Sequence, residues 1–306
     1  MKAVVLHEYG RPEKLKFEDW DDPIAGEGEV LVSVAAASIN PIDWKMRSGE
    51  AKGRFPVQFP AILGRDFSGV LRAIGKGVTN VTPGDKVFGV SWKTYAQLCV
   101  VKAAELAKVP EGLDLVRAAA LPLVTITGEQ LIRLGTKIAP GQPQGQTVLI
   151  SGALGGVGRS AVRTAKDAGA KVIAGVRRKQ LDEAKELHAD QVVALDDDDA
   201  LALVGFLDAV ADTVGGATAQ KLLGKVKPGG IFASVLGPPA NAALHPTVTI
   251  AAIGAKPDPT HMLKLAEDVV KGRLDIPIDR MIPLEDAAAG QEAAERGAKG
   301  KVLLLV

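Results

Sequence analysis

The chain has 306 residues, of which 47% are hydrophobic and 24% charged, so it suits a globular protein of two domains better than one small core. With 37 basic and 36 acidic residues the net charge is +1, and nothing in that balance favours a polyanion such as nucleic acid as partner. The single cysteine, Cys99, excludes an internal disulfide and a cysteine-built structural zinc site.

In chain order, the apolar run opening at Met1 is too short for a signal peptide. No stretch reaches about 18 uninterrupted apolar residues, so the expectation is a cytoplasmic protein that spans no membrane. The first 120 or so residues read as β-rich, with frequent Gly and Pro, as a compact barrel needs. Val30 to Ala36 is an expected strand after the turn Gly26-Glu27-Gly28-Glu29. Val81 to Val90 reads as a turn followed by a short strand. The character changes near Pro122, and a helical pattern runs from Thr127 to Leu134. A Pro/Gly-rich loop follows at 139–146. Strands and helices then alternate. Strands are expected at Thr147–Ile150, Lys171–Gly175, Gln191–Ala194, Leu207–Ala211 and Gly230–Leu236. Helices are expected at Gly158–Ala168, Lys179–Leu187 and Ala217–Val226. This α/β alternation predicts a doubly wound parallel sheet covered on both faces. The acidic run Asp196 to Asp199 reads as a solvated loop. A helix at His261–Lys271 and a strand at Lys301–Val306 close the chain. That strand has no place in the middle sheet and is expected to return to the N-terminal domain.

One motif carries chemistry. Ser151-Gly152-Ala153-Leu154-Gly155-Gly156-Val157-Gly158 joins a buried strand to a helix, and a second strand follows on schedule. Gly152, Gly155, Gly156, Val157 and Gly158 would let the backbone approach a pyrophosphate at the positive end of the helix. The alternative is a glycine-rich turn serving packing alone. An NAD enzyme would place a carboxylate for the ribose hydroxyls at the end of the second strand. Here the chain reads Val176-Arg177-Arg178-Lys179, three cations and no acid. Guanidinium forks match a 2′-phosphate, so Arg177, Arg178 and Lys179 point to NADPH. A basic helix start on the surface is the alternative, but cations there oppose the helix dipole.

With these blocks in view the sequence resembles the medium-chain dehydrogenase/reductase superfamily in its zinc-free quinone oxidoreductase (zeta-crystallin-like) branch. The resemblance rests on Ser38-Ile39-Asn40-Pro41-Ile42-Asp43-Trp44, Gly64-Arg65-Asp66-Phe67-Ser68-Gly69-Val70 and Val81-Thr82-Pro83-Gly84-Asp85-Lys86-Val87. It rests also on Leu121-Pro122-Leu123, the glycine turn, Asp212-Thr213-Val214-Gly215-Gly216 and Lys227-Pro228-Gly229-Gly230. It implies a GroES-like β-barrel catalytic domain, residues 1–124 plus 251–306, with a Rossmann NADP-binding domain inserted at 125–250. It implies an active site in the cleft and a homodimer. Zinc-dependent relatives place a Cys near Asn40 and a His-Glu pair at Arg65-Asp66, so no metal is expected. Asn40, Asp43 and Thr127 match positions at the nicotinamide and substrate cleft, although Gly128 and Gly152 depart from commoner alanines. Val214, Ser234 and Leu236 would edge the cofactor.

The implied activity is metal-free hydride transfer from NADPH to a small electron-poor acceptor, a quinone or an α,β-unsaturated carbonyl. Such acceptors delocalise the arriving charge without a Lewis acid. A redox sensor or structural protein that binds NADPH with little turnover is the competing reading. A reductase module acting on an acyl thioester ranks below both.

Overall fold

A computed structural model describes residues 1–140 and 145–306. The loop expected at 139–146 therefore lies partly, at 141–144, outside the described residues. The chain forms two compact units, Met1–Leu123 with Pro257–Val306, and Val124–Lys256.

The first unit opens with β1 (Lys2–Leu6), β2 (Leu15–Asp19), β3 (Glu29–Ser38), α1 (Pro41–Ser48), β4 (Ala61–Ile62) and β5 (Asp66–Ile74). Next come β6 (Lys86–Val90), β7 (Leu98–Lys102), β8 (Leu106–Lys108) and α2 (Leu115–Ala118). In β3, Val30, Val32 and Val34 are buried at every second position, the period that puts one face of a strand on a core. They pack with Phe67, Leu71, Val87 and Cys99 of the facing strands. Helix α3 (Pro122–Gln130) runs on through a wide π turn at Leu131–Thr136. The helical stretch Leu115–Thr136 is long and apolar enough to cross a membrane by length and composition, but 72% of its most apolar window is buried inside the protein.

The second unit contains β9 (Thr147–Ser151), α4 (Gly156–Asp167), β10 (Lys171–Val176) and β11 (Gln191–Ala194). It continues through α5 (Asp198–Ala202), β12 (Leu207–Asp212), α6 (Gly216–Leu223), β13 (Val226–Ser234) and β14 (Thr249–Ala252). The strands pair in parallel in the order β11-β10-β9-β12-β13-β14, the doubly wound arrangement with β9 at the centre. In β9, Val148 and Ile150 join the core on one face of the sheet and Leu149 the core on the other. Each is fully buried and contributes roughly 1.5–3 kcal/mol.

Three expectations need correction here. Residues 179–187 do not form a regular helix but two tight turns, Arg178–Gln180 and Glu183–Leu187, ended by His188 at φ 48°. Of the residues in those turns only Ala184 is fully buried, with Leu187 partly buried against the same core, and so short an apolar face does not hold a regular amphipathic helix on a sheet. Helix α6 stops at Leu223, because Val226 already begins β13 beside Leu207. The second unit extends to Lys256 rather than to 250, because β14 pairs in register with β13.

The chain then re-enters the first unit as α7 (Pro259–Val270), β15 (Ile278–Pro283), α8 (Ala287–Glu295) and β16 (Lys301–Leu305). The barrel sheet runs β15-β16-β3-β5-β6-β8, with β7 also on β3. Thus β16 returns to the N-terminal unit, antiparallel to β3 and parallel to β15.

Candidate cofactor and acid-cluster sites

The glycine turn sits at the C-terminal end of β9. Gly152 has φ 64°, in the left-handed region that explains a glycine in place of the usual alanine. A Cβ on Gly158 would lie 2.2 Å from the Gly152 carbonyl oxygen, so only glycine lets α4 start against the strand. The N-cap of α4, Gly155, supplies no side-chain acceptor. Its first-turn N–H groups therefore face outward uncapped, the arrangement that receives a phosphate. Gly155 is exposed, Gly156 and Val157 are half-buried, and Gly158 is buried.

β10 ends beside β9, with Gly175 opposite Ser151, and delivers the three cations to the same end of the sheet. They are not equivalent. The Arg178 backbone N–H donates to Asp196 at 2.6 Å, and its guanidinium pairs with Asp197. Asp197 also caps α5, accepting from the N–H groups of Asp199 and Ala200. The Arg177 and Lys179 side chains are exposed and have no bonded partner among the described residues.

Sequence reasoning missed a carboxylate at the ends of β12 and β13. Asp212 is fully buried and accepts from Ser151 Oγ, Ser234 Oγ and the backbone N–H groups of Val214 and Gly215. Ser234, assigned to the cofactor edge, is itself fully buried and turned toward Asp212. It ties the strand ends together. Val214 and Leu236 are about half exposed just beyond those ends, in place to flank a ligand. The Asp212-Thr213-Val214-Gly215-Gly216 block was the available signal for this hub. Thr127 lies in α3, half-buried.

In the first unit, Asn40 and Asp43 come together at the start of α1. Both are buried. Asp43 Oδ2 accepts from the Asn40 backbone N–H and the Tyr95 hydroxyl, each at 2.8 Å, while Oδ1 has no hydrogen-bond partner. Burial pushes the Asp43 carboxyl up to about 7. The Asn40 amide donates to Asp66 Oδ2 at 2.8 Å and to the Ser38 carbonyl, and its oxygen accepts from Lys301 Nζ at 2.7 Å. The Lys301 ammonium lies 3.5 Å from Asp66 and donates also to the Ile39 carbonyl. Burial draws its pKa below the usual lysine value. Asp66 accepts further from Ser38 Oγ and the Leu123 N–H. Arg65 stands beside this cluster with its guanidinium 3.6 Å above the Trp92 ring.

Residues 26–111 match the alcohol dehydrogenase GroES-like domain, and residues 187–304 match the zinc-binding dehydrogenase domain. The whole chain is 30% identical to the mitochondrial NAD(P)H oxidoreductase RTN4IP1 of Mus musculus, covering 89% of it. The chain belongs to the quinone oxidoreductase branch of the medium-chain dehydrogenase/reductase superfamily. A chloroplastic quinone-oxidoreductase homolog of Spinacia oleracea is 32% identical over 63% of this chain, which spans 60% of that relative. The quinone oxidoreductase of Coxiella burnetii superposes with a TM-score of 0.87 at 29% identity, over 100% of this chain and 99% of that one. A mycobacterial protein solved in complex with NADPH superposes with a TM-score of 0.85 at 25% identity, each chain fully covered.

The name of the second matched domain raises zinc. The side chains at the corresponding place in this member of the branch do not fit it. Asn40 offers an amide oxygen already bonded to an ammonium, and Arg65 and Lys301 bring positive charge to the carboxylates Asp43 and Asp66. Among the described residues no group of three or more His, Cys, Asp or Glu side chains could hold a metal ion.

Proposed function

We propose that the protein is an NADPH-dependent oxidoreductase that reduces quinones or α,β-unsaturated carbonyls without a metal. The observation that carries the reading is the uncapped glycine turn, with Arg177 at the end of the neighbouring strand lacking a side-chain partner among the described residues, and no acid within Val176-Arg177-Arg178-Lys179 itself, the nearby Asp196 and Asp197 being bonded to Arg178. NADPH supplies a hydride when bound. The chain's own residues then have distinct tasks. The first-turn N–H groups of α4 receive the pyrophosphate, and Arg177 and Lys179 hold the 2′-phosphate. Val214 and Leu236 flank the cofactor, with Thr127 assigned to the nicotinamide. Asp212 fixes the strand ends from which these groups project.

Asn40 and Asp43 act in this reading as organising groups beneath the acceptor site. All Asn40 amide donors are used inside the barrel, so it holds Asp66 and Lys301 in place. Asp43, its carboxyl raised to about 7 and one oxygen unpartnered, is placed to take up or release a proton at Oδ1 near neutral pH. The names of the relatives support quinone reduction, and the mycobacterial complex supports NADPH. A cytosolic homodimer belongs to the same reading.

The test is steady-state NADPH oxidation over a panel of quinones, enones and simple primary alcohols, with elemental analysis of the purified protein. Turnover with quinones or enones, no comparable alcohol oxidation and no stoichiometric zinc are expected. Near one zinc per chain with chelator-sensitive alcohol oxidation would overturn the proposal, as would binding of NADPH without turnover on any acceptor, which is the sensor reading.

A further inference from the structure

A cavity of about 520 Å³ opens within the first unit and is assigned to nothing above. Its size falls in the range of small-molecule sites. Trp20, Ile24, Arg65, Trp92 and Lys93 are among its walls. Two features of these residues are costly unless a ligand uses them. Ile24 is 89% exposed and Trp92 46% exposed, so a large apolar surface is left facing the opening. Arg65 is half-buried, with Nε donating to the Ser91 carbonyl at 3.0 Å and the flat face stacked on Trp92. Those two contacts fix the guanidinium plane but leave its terminal Nη groups with no protein acceptor among the described residues.

Lys93, next to Trp92, has φ 63°, a left-handed conformation that a lysine adopts at a cost. Its ammonium also has no partner among the described residues. The two carboxylates of the cavity wall are already engaged. Glu29 accepts from the Gly26 N–H at 3.0 Å, and Glu105 pairs with Lys102 at 3.2 Å. Glu29 keeps its negative charge, so the wall sets the unpaired cations Arg65 and Lys93 against one uncompensated carboxylate, and its remaining surface is aromatic and aliphatic.

We infer that this cavity is a binding site for a small aryl carboxylate, with the carboxylate on the Arg65 fork and Lys93, and the ring against Trp92, Trp20 and Ile24. A planar fork with both outer N–H groups free matches a carboxylate bidentately. A flat apolar body is what the two indoles would cover. Arg65 borders the Asn40–Asp43–Asp66 cluster that the oxidoreductase reading sets beneath the acceptor, but no residue of the glycine turn or its neighbouring cations is used, so failure of this inference and failure of the NADPH reading are distinguishable.

Titration calorimetry of the intact protein with 2-naphthoate tests it, with 2-naphthylmethanol as the uncharged counterpart. Saturable one-site binding of naphthoate is expected, with the alcohol at least about tenfold weaker. Arg65→Met should weaken naphthoate at least about tenfold. Lys93→Met should weaken it by a smaller factor that shrinks at high salt. Trp92→Ala should weaken both, the acid more than the alcohol, because it also frees the guanidinium stacked on that ring. Arg177→Ala should leave naphthoate affinity unchanged. If Arg65→Met fails to fold by circular dichroism, Arg65→Lys keeps the charge and loses the fork, and an intermediate loss is expected. Absence of saturable binding to the wild type would overturn the inference. So would equal affinity for the alcohol, unchanged affinity in the folded Arg65 variants, or loss of binding in Arg177→Ala, which would put the anion on the cofactor cations instead.

Discussion

Asp43 is the residue whose protonation the fold controls most clearly. Its carboxyl is raised from an ordinary 3.8 to about 7 by burial, so the folded protein holds this proton more tightly than the unfolded chain does. The corresponding stability is fully present below about 3.8 and is lost as pH rises through about 7. Asp43→Asn keeps an acceptor for Tyr95 and removes the titration. Across this window the melting temperature of the wild type minus that of the variant should fall as pH rises, and parallel curves would refute the assignment. The cations after β10 give a second prediction at this scale. Arg177→Ala should raise the Michaelis constant for NADPH at least about tenfold and leave that for NADH nearly unchanged. Arg178→Ala should have the smaller effect, because its guanidinium is committed to Asp197. Equal effects from the two variants would mean that the Asp197 pair opens in solution. The sequence showed three adjacent cations and could not rank them. Their ranking comes from an aspartate about twenty positions on, brought alongside only by the pairing of β11 with β10.

Among the elements, five of the six strands of the parallel sheet were legible because each carries a burial pattern set locally, whereas β14, at the edge and without a fully buried residue, was not. The glycine turn was legible for the same reason, since its spacing reflects one strand–helix joint. The barrel was read only as β-rich. Its strand β4 has two residues, and the partners of β3 are drawn from β5, β7 and β16, so long-range pairing rather than local pattern defines it. The Asn40–Asp66–Lys301 cluster is the sharpest case. Lys301 looked like the polar first residue of a terminal strand, and it is a buried ammonium that bonds the start of α1 across the sheet. Lys301→Met should leave Asp66 buried without the ammonium 3.5 Å from it. A loss on the order of 3–5 kcal/mol is expected by denaturant unfolding, and a change under about 1 kcal/mol would show that the hydrogen bonds from Ser38, Asn40 and Leu123 suffice.

For the molecule as a whole, the position of β16 between β15 and β3 sets an order of events. The strands of the Rossmann unit lie within Val124–Lys256 and pair with near neighbours, whereas Lys301 finds Ile39 across 262 positions of sequence. Closing so long a loop is slow, and the cost is met before the contact rewards it. On the ribosome the inserted unit can therefore complete its sheet while the barrel still waits with the Ala36–Ser38 end of β3 lacking its β16 partner. Chains arrested before Lys301 should show a protease-resistant fragment spanning the Rossmann unit and a readily cut N-terminal segment, and release of the last strand should protect both. The nascent barrel is thus the part of this protein that most needs a chaperone, and its vulnerable interval lasts as long as translation of everything between β3 and β16.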